Sequence, residues 1–209
     1  FRSRFADAEL AKKFATQAVN HSIGVMTAKD DAAQMSQGAG MTFRNNIEWL
    51  AGNYNEARMG SSIFSYLMGY EDPRLNVYFL PMDGNASYGV EAFNGKTYQA
   101  VPAGHANAQN DIYKSCSKPN IQSGTPTYWL RASEVYFLRA EAALVWEGFG
   151  SADSWYKQGI DMSFQENGVT EPVDDYMNSN LSPRAYVLSH YQYGQTLSAP
   201  CETTVKFEG

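Results

Sequence analysis

The segment YWLRASEVYFLRAEAALVWEGFGSADSWYKQGIDMSFQENGV, from Tyr128 to Val169, decides the fold of this chain. It contains two consecutive amphipathic stretches, Ala132 to Glu147 and Ala152 to Asn167. Each is followed at once by a glycine, Gly148 or Gly168, where a helix commonly ends on a residue with positive φ. Two helices of about four turns joined by a short connection must lie side by side and antiparallel. The segment therefore predicts a helical hairpin.

Apolar periodicity defines the faces of these helices and of one more. The first helix of the hairpin carries an apolar stripe at Val135, Leu138, Ala142 and Val145. A further helix is predicted from Ala6 to His21, with its buried side formed by Leu10, Phe14, Ala18 and Val19. This helix and the second helix of the hairpin share a pattern of small and large residues that is typical of tetratricopeptide-type pairs. A hairpin cannot cover all of its own apolar area, so we expect further packing partners.

The hairpin residues resemble a known family. The phrase ASEVYFLRAEAA (Ala132 to Ala143), the short glycine-containing turn and WYKQGIDMSFQENGV (Trp155 to Val169) are similar to the C-terminal helical hairpin of SusD/RagB-like outer-membrane lipoproteins. Upstream, RMGSSIFSYLMGYEDPRLNVYF (Arg58 to Phe79) is similar to the segment that those proteins carry there. The resemblance implies a mostly α fold of tetratricopeptide-like helical pairs, with long irregular loops and minor β structure.

The same resemblance implies a function. It indicates non-enzymatic binding of an oligosaccharide or similar nutrient, which is delivered to a SusC-like TonB-dependent transporter of the outer membrane. It also implies a cell-surface lipoprotein whose lipid anchor, the one contact with the membrane, lies outside this segment. Residues 1–209 are then expected to be part of a single SusD-like domain, truncated at both ends.

Composition limits the other function classes. The formal net charge is −6 with a pI near 5.1, and no Lys or Arg cluster runs along any segment. Nucleic acid is excluded as a partner, because phosphate contacts need a basic face. No apolar run is long enough to span a bilayer. Cys116 and Cys201 either form one disulfide or remain single thiols.

Residues 83–128 predict a long decorated loop. They contain five glycines, five asparagines and three prolines, and no helical period survives among them. A loop of this length in a compact domain is usually functional or disordered, and its aromatic content argues against disorder. The stretch TYQAV, Thr97 to Val101, is a candidate for short β-ribbon.

The remaining segments predict shorter elements. Helix is expected around Arg58 to Met68, ended by Gly69, before a turn that Asp72 and Pro73 impose. Residues 22–53 are expected to be loop or short helix, and EPVDDYMN (residues 171–178) one short helical turn. The tyrosine-rich residues 182–197 predict an ordered loop or short helix, and Cys201 to Phe207 an edge strand.

No residue pattern points to catalysis, a metal or a cofactor. Glu134 and Glu141 share a helix face, but a glycosidase needs two carboxyl groups facing each other across a cleft. Residues 83–94 resemble a calcium loop only at their start, because position twelve is Asn94 and not glutamate. The three histidines lack metal-ligand spacing: His21, His105 and His190. We therefore predict no catalytic residues, no metal and no cofactor.

Aromatic rings next to planar polar side chains are the residue types that recognise sugars. Two stretches supply such mixtures, one ahead of the Arg58 helix and one in the long loop. The candidate ligand-binding residues are Asn45, Trp49, Asn53, Tyr54, Tyr88, Asn94, Tyr98 and Tyr113. Two alternatives remain open: a tetratricopeptide-type adaptor that binds peptides in a helical groove, and an α-helical glycoside hydrolase.

Overall fold

A computed structural model describes residues 2–38, 40–82, 91–102, 104, 113–189 and 194–209. The chain divides into two compact units, and neither is continuous in sequence. Unit 1 comprises Phe1–Met35, Tyr128–Val173 and Phe207–Gly209, and unit 2 comprises Ser36–Thr127 and Asp174–Lys206. Both units are described separately below.

Unit 1 is built on the predicted helical hairpin. Its helices are α1 (Ala8–Val19), α5 (Ala132–Val145) and α6 (Ala152–Glu166), with a 3₁₀ turn at Arg2–Phe5 ahead of α1. Strands β1 (Ala32–Met35) and β4 (Thr127–Arg131) pair into a two-stranded sheet. The hairpin prediction is confirmed at both glycines, since φ is +91° at Gly148 and +64° at Gly168. Residues other than glycine rarely adopt φ values in this range.

A glycine also allows α5 and α6 to pack closely. A Cβ atom built on Gly159 of α6 would lie 2.8 Å from Cε1 of Phe137 on α5. Next to this contact, Ile160 and Phe164 are buried. At the other end of α6, the Trp155 indole nitrogen donates to the Phe149 carbonyl at 2.7 Å, and the Arg139 guanidinium lies 3.5 Å from the Trp155 ring centroid. The small residue in α6 thus has the packing role that the sequence pattern predicted.

The predicted burial of α1 is wrong. Ala11 is its buried residue, whereas Phe14 is 56% exposed and Leu10 is also exposed. On α5, Leu138 and Val145 of the predicted stripe are exposed too. Most of the predicted apolar residues do share faces, because Phe14, Ala18 and Val19 of α1 and Val135, Leu138 and Ala142 of α5 line one open groove of about 480 Å³. Periodicity identifies which side chains share a face, but what covers that face depends on contacts distant in sequence.

Unit 2 has four helices and two β-hairpins among its described residues. The helices are α2 (Asn46–Gly52), α3 (Ser61–Gly69), α4 (Leu75–Tyr78) and α7 (Val173–Met177). Helix α7 begins at Val173, the boundary residue of unit 1. The hairpins pair β2 (Glu91–Phe93) with β3 (Lys96–Tyr98) and β5 (Tyr186–Leu188) with β6 (Gln195–Leu197). Their core contains Met59, Phe64, Leu67, Met68, Leu75, Tyr98, Ala100, Tyr186 and Leu188. The mostly α fold with minor β structure is confirmed.

Helix α3 ends at a close backbone contact. Gly69 is its last residue, and a Cβ atom there would lie 2.5 Å from the Ser182 carbonyl oxygen. Just beyond, the buried Asp72 carboxylate accepts hydrogen bonds from the Arg74 backbone N–H at 2.9 Å and from the Tyr176 hydroxyl at 2.7 Å. The predicted turn at Asp72 is therefore held by a buried polar network and leads into α4.

Two predictions for the C-terminal segments are wrong and one is confirmed. Residues 182–197 were expected to be loop or short helix, but they contain the β5–β6 hairpin, in which Tyr186 pairs with Leu197. The edge strand expected from Cys201 to Phe207 is absent from these residues, all of which the structure describes. Val205 in this segment is nevertheless buried. The helical turn predicted in residues 171–178 is present as α7.

The long loop contains a β-hairpin. Strands β2 and β3 pair antiparallel from Glu91 with Tyr98 to Phe93 with Lys96. The two residues between them, Asn94 and Gly95, have φ of 48° and 74°, as a two-residue hairpin turn of the Asn-Gly type requires. The predicted β-ribbon is therefore present, although it ends at Tyr98. Residues 83–90, 103 and 105–112 of the predicted loop lie outside the described residues.

Candidate functional site

An exposed aromatic cluster lies along α2 and the turn that follows it in unit 2. Trp49 of α2 and Tyr54 of the following turn meet edge to face, with ring centroids 4.6 Å apart and an interplanar angle of 88°. Trp49 is 37% exposed and Tyr54 is 54% exposed. We define the aromatic cluster as Arg44, Trp49, Asn53 and Tyr54. It presents two large rings to solvent in a preferred aromatic geometry.

The start of α2 is anchored by Asn45. Its side-chain oxygen accepts a hydrogen bond from the Ile47 backbone N–H at 3.0 Å, as an N-cap residue does. Its side-chain nitrogen donates to the Thr125 carbonyl at 3.0 Å, and its backbone N–H donates to Ser123 at 2.8 Å. Asn45 is buried. It therefore positions α2, and we remove it from the candidate ligand-binding residues.

The end of α2 brings Tyr54 back to Trp49. The backbone N–H of Asn53 donates to the Trp49 carbonyl at 2.9 Å. Asn55 then adopts φ of 60°, a left-handed conformation that asparagine tolerates better than most residues. Its side chain accepts a hydrogen bond from Arg58, whose Nε also donates to the Tyr113 carbonyl at 3.2 Å. This turn, held by Arg58, leaves Asn53 and Tyr54 exposed beside Trp49.

Arg44 adds charge and hydrogen-bond donors to the aromatic cluster. Its Nη2 atom lies 2.9 Å from Oε2 of Glu48, and its Cζ atom lies 5.8 Å from the Trp49 ring centroid. An exposed ion pair of this kind contributes little stability, about 0.2–1 kcal/mol. Sequence reasoning missed Arg44 and Arg58, although Arg44 directly precedes the asparagine that caps α2. The cluster can stack on an apolar ligand face and hydrogen-bond to polar groups at its edge.

The loop candidates that the structure describes, Asn94, Tyr98 and Tyr113, do not form a comparable surface. Tyr98 has no exposed area, and its hydroxyl donates to Oδ1 of Asn76 at 2.6 Å. It is a core residue because β3 turns it towards the interior, so its prediction as a ligand-binding residue is corrected. Tyr113 is half-buried against the same core, and Asn94 is exposed in the β2–β3 turn. Tyr88 lies outside the described residues.

The two carboxylates considered for catalysis have structural partners. Glu134 accepts a hydrogen bond from the Arg131 backbone N–H at 3.2 Å, at the start of α5. Glu141 lies 2.6 Å from Nη2 of Arg4. In the part of the chain that the structure describes, no group of three His, Cys, Asp or Glu side chains could hold a metal ion. These carboxylates stabilise unit 1 and do not form a facing pair.

Both cysteines are free thiols, which answers the question that the sequence left open. Burial raises the pKa of Cys116 to about 12. Hydrogen bonds from Thr203 lower the pKa of Cys201, and its sulfur lies 3.8 Å from the Tyr66 hydroxyl. The two thiols therefore differ in reactivity, because the thiolate is the reactive form.

Comparisons with known proteins place this chain in a family. Among the described residues, no helix combines the length and apolar character needed to cross a membrane. The model of the family described as SusD-like, Susd and RagB outer membrane lipoprotein, matches residues 1–209. Comparison with curated proteins gives no match.

Solved structures show the same fold. A chitin-binding SusD homologue from Flavobacterium johnsoniae is similar at 29% identity with a TM-score of 0.84, covering 99% of this chain and 41% of that one. SusD homologues from Bacteroides thetaiotaomicron and Bacteroides vulgatus have 31% and 32% identity and TM-scores of 0.78 and 0.79, each covering 96% of this chain and 39% of the other. The chain thus spans about two fifths of their length. It belongs to the SusD-like family of outer membrane lipoproteins.

Proposed function

We propose that this chain is part of a non-enzymatic receptor that captures an oligosaccharide at the cell surface through the aromatic cluster. The observation that carries the proposal is the exposed pair of Trp49 and Tyr54, with Asn53 and Arg44 beside it. Family membership supports nutrient binding in general, and one similar structure is described as chitin-binding. We take a chitin-type oligosaccharide as the first ligand to test.

The cluster supplies both kinds of contact that a sugar needs. A pyranose ring has apolar C–H faces, which stack on aromatic rings, and hydroxyl groups at its rim. The Asn53 carboxamide both donates and accepts hydrogen bonds, and the Arg44 guanidinium donates them in a planar fork. Binding would bury the exposed parts of two rings that are already held in place. Little conformational entropy is then lost on binding.

The exposed fractions give the expected size of the aromatic contribution. Full burial of a large apolar side chain is worth about 3 kcal/mol. Since 37% of Trp49 and 54% of Tyr54 remain exposed, a stacked sugar can add about 1 kcal/mol at Trp49 and about 1.5 kcal/mol at Tyr54. Truncation to alanine should therefore weaken binding about fivefold at Trp49 and about tenfold at Tyr54.

We also propose that the intact protein delivers its ligand to a SusC-like TonB-dependent transporter. Family membership in the outer membrane lipoproteins supports this assignment, and a lipid anchor would hold the protein beside such a partner. Co-purification of the intact protein with an outer-membrane transporter would test the partnership.

A glycan array followed by isothermal titration calorimetry tests the binding proposal. The probes are N-acetylglucosamine oligomers and any other oligosaccharide retained on the array. Trp49→Ala and Tyr54→Ala should weaken binding as calculated. Trp129→Ala is the matched control, because Trp129 is 68% exposed but lies in unit 1, outside the cluster. Binding that is equally strong in all three variants would refute the assignment of the site.

Two further assays on the same protein distinguish the receptor from a peptide-binding adaptor and from a glycoside hydrolase. A peptide-binding adaptor would use the apolar groove lined by residues such as Phe14, Val19 and Val135, so Phe14→Ala would weaken its peptide binding. A glycoside hydrolase would shorten the oligosaccharide during long incubation, which mass spectrometry of the products would detect. Unchanged oligosaccharide together with weaker binding in Trp49→Ala supports the receptor.

A further inference from the structure

A second cleft, in unit 1, has the features of a sugar-binding site. Its volume is about 550 Å³, within the range of about 300–1,000 Å³ usual for small-molecule sites. Lys29, Asp30, Gln34, Tyr128, Arg131 and Gln165 are among the residues that line it. We propose that this polar cleft binds one or two rings of a neutral saccharide, as a site separate from the aromatic cluster. The inference rests on the proposed function for the class of ligand only.

The floor of the polar cleft is rigid and electrically neutral. The Glu166 side chain is 1% exposed, and its carboxylate accepts hydrogen bonds from the backbone N–H and hydroxyl of Ser133 at 2.9 and 2.6 Å. Nε of Arg131 lies 3.4 Å from the same carboxylate, and its Nη2 donates to the Glu166 carbonyl at 2.8 Å. The Glu166 carboxylate is thus hydrogen-bonded by Ser133 and neutralised by Arg131, whose Nε is ion-paired at 3.4 Å but makes no hydrogen bond of its own. The floor therefore offers no uncompensated charge to an ionic ligand.

Arg131 also fixes an aromatic ring at the edge of the polar cleft. Its Cζ atom lies 4.5 Å from the Tyr128 ring centroid, within the range of a cation–π contact. Tyr128 nevertheless remains 42% exposed. The guanidinium is held between this ring and the Glu166 carboxylate, so the ring is positioned before any ligand arrives. A ring that is fixed and partly open is what a stacked sugar requires.

The walls of the cleft supply hydrogen bonds without net charge. Gln34 lies on β1 and Gln165 on α6, and both are exposed. Gln165 donates to Oδ2 of Asp161 at 2.7 Å through its side-chain nitrogen, which retains a second N–H, and its side-chain oxygen accepts. Lys29 and Asp30 carry opposite charges next to each other. Since the pair Arg131 and Glu166 is also balanced, the lining favours a neutral polar ligand over an anion or a cation.

Nuclear magnetic resonance of the full chain can observe both sites at once. The side-chain amides of Gln34 and Gln165 report on the polar cleft, and the indole N–H of Trp49 reports on the aromatic cluster. The probes are N-acetylglucosamine, chitobiose, maltose, cellobiose and xylobiose, each added up to about 10 mM, which suffices for a Kd of about 1 mM. We expect at least one of them to shift both glutamine amides in a saturable manner.

Matched variants separate binding in the cleft from general effects on the surface. Gln165→Ala and Gln34→Ala should each weaken the titration about 2- to 12-fold, the range for loss of one neutral hydrogen bond. Gln158→Ala is the control, because Gln158 also lies exposed on α6 and bonds to the residue four positions earlier, Ser154, but does not line the cleft. Its titration should match that of the unmodified chain.

The outcomes distinguish the two proposals. Glutamine amides that no probe shifts, or titrations equal in Gln165→Ala, Gln34→Ala and Gln158→Ala, would overturn the site in the cleft. Glutamine shifts without any response at Trp49 would support the cleft and count against the aromatic cluster. In the double variant Trp49→Ala/Tyr54→Ala, the glutamine titration should persist; its loss would show that the cleft is not a separate site.

Discussion

Replacing Gly69 with alanine is expected to destabilise unit 2, although alanine is the better helix former. A Cβ atom there would lie 2.5 Å from the Ser182 carbonyl oxygen and 2.7 Å from the Arg184 nitrogen. Both are main-chain atoms, and the Arg184 N–H is itself bonded to the Ser65 carbonyl at 3.2 Å. Overpacking costs up to about 3 kcal/mol, and helix propensity returns at most about 1 kcal/mol. The free energy of unfolding should therefore fall by about 2 kcal/mol.

Gly52→Ala is the matched control, because Gly52 is likewise the last residue of its helix. Its Cβ atom would meet only Oε1 of Glu48, at 3.8 Å, so the change should be neutral or stabilising by up to about 1 kcal/mol. In thermal unfolding followed by circular dichroism, we expect Tm to fall by about 4–8 °C for Gly69→Ala. Hydrogen exchange in residues 61–69 should rise in parallel. A Gly69→Ala protein as stable as Gly52→Ala would refute the close contact.

Two further predictions concern Tyr98 and the two cysteines. Tyr98→Phe removes the hydrogen bond to Asn76 and should lower the free energy of unfolding, measured in urea, by about 1 kcal/mol. The affinity for glycans should stay unchanged. Weaker glycan binding would show that Tyr98 belongs to the ligand-binding site. At pH 8 the raised pKa of Cys116 keeps its thiol protonated, whereas the lowered pKa of Cys201 increases its thiolate fraction. Iodoacetamide should therefore label Cys201 first. Mass spectrometry should find Cys116 labelled at a comparable rate only after unfolding, and equal rates in the folded protein would contradict the assignment.

Local patterns predicted the helices well, because the information for a helix lies within a few turns. The hairpin of α5 and α6 and its terminal glycines are confirmed almost residue for residue. The β5–β6 hairpin was missed, since pairing such as Tyr186 with Leu197 is not visible in a helical period. The Asn94-Gly95 turn did carry a recognisable hairpin signal. The prediction of which α1 residues are buried failed, because the sequence does not show which surface covers a given helix face.

The candidate sites were harder to predict, because they combine residues through backbone geometry. Trp49 and Tyr54 are five positions apart, and their contact depends on how the chain leaves α2, where the backbone N–H groups of Asn53 and Tyr54 both donate to the Trp49 carbonyl. Tyrosine has an apolar ring and a polar tip, so residue type did not distinguish exposed Tyr54 from buried Tyr98. The floor of the polar cleft joins Arg131 to a glutamate thirty-five positions later, a pairing for which the sequence shows no motif.

The interleaved order of the two units has a consequence for synthesis. Strand β1 leaves the ribosome long before its partner β4, because most of unit 2 is translated between them. At a translation rate of about 5–20 residues per second, the edge of β1 remains unpaired for on the order of ten seconds. Unit 2 is likewise incomplete until the β5–β6 hairpin has been translated, which happens after α5 and α6. No single truncation can therefore isolate either unit whole.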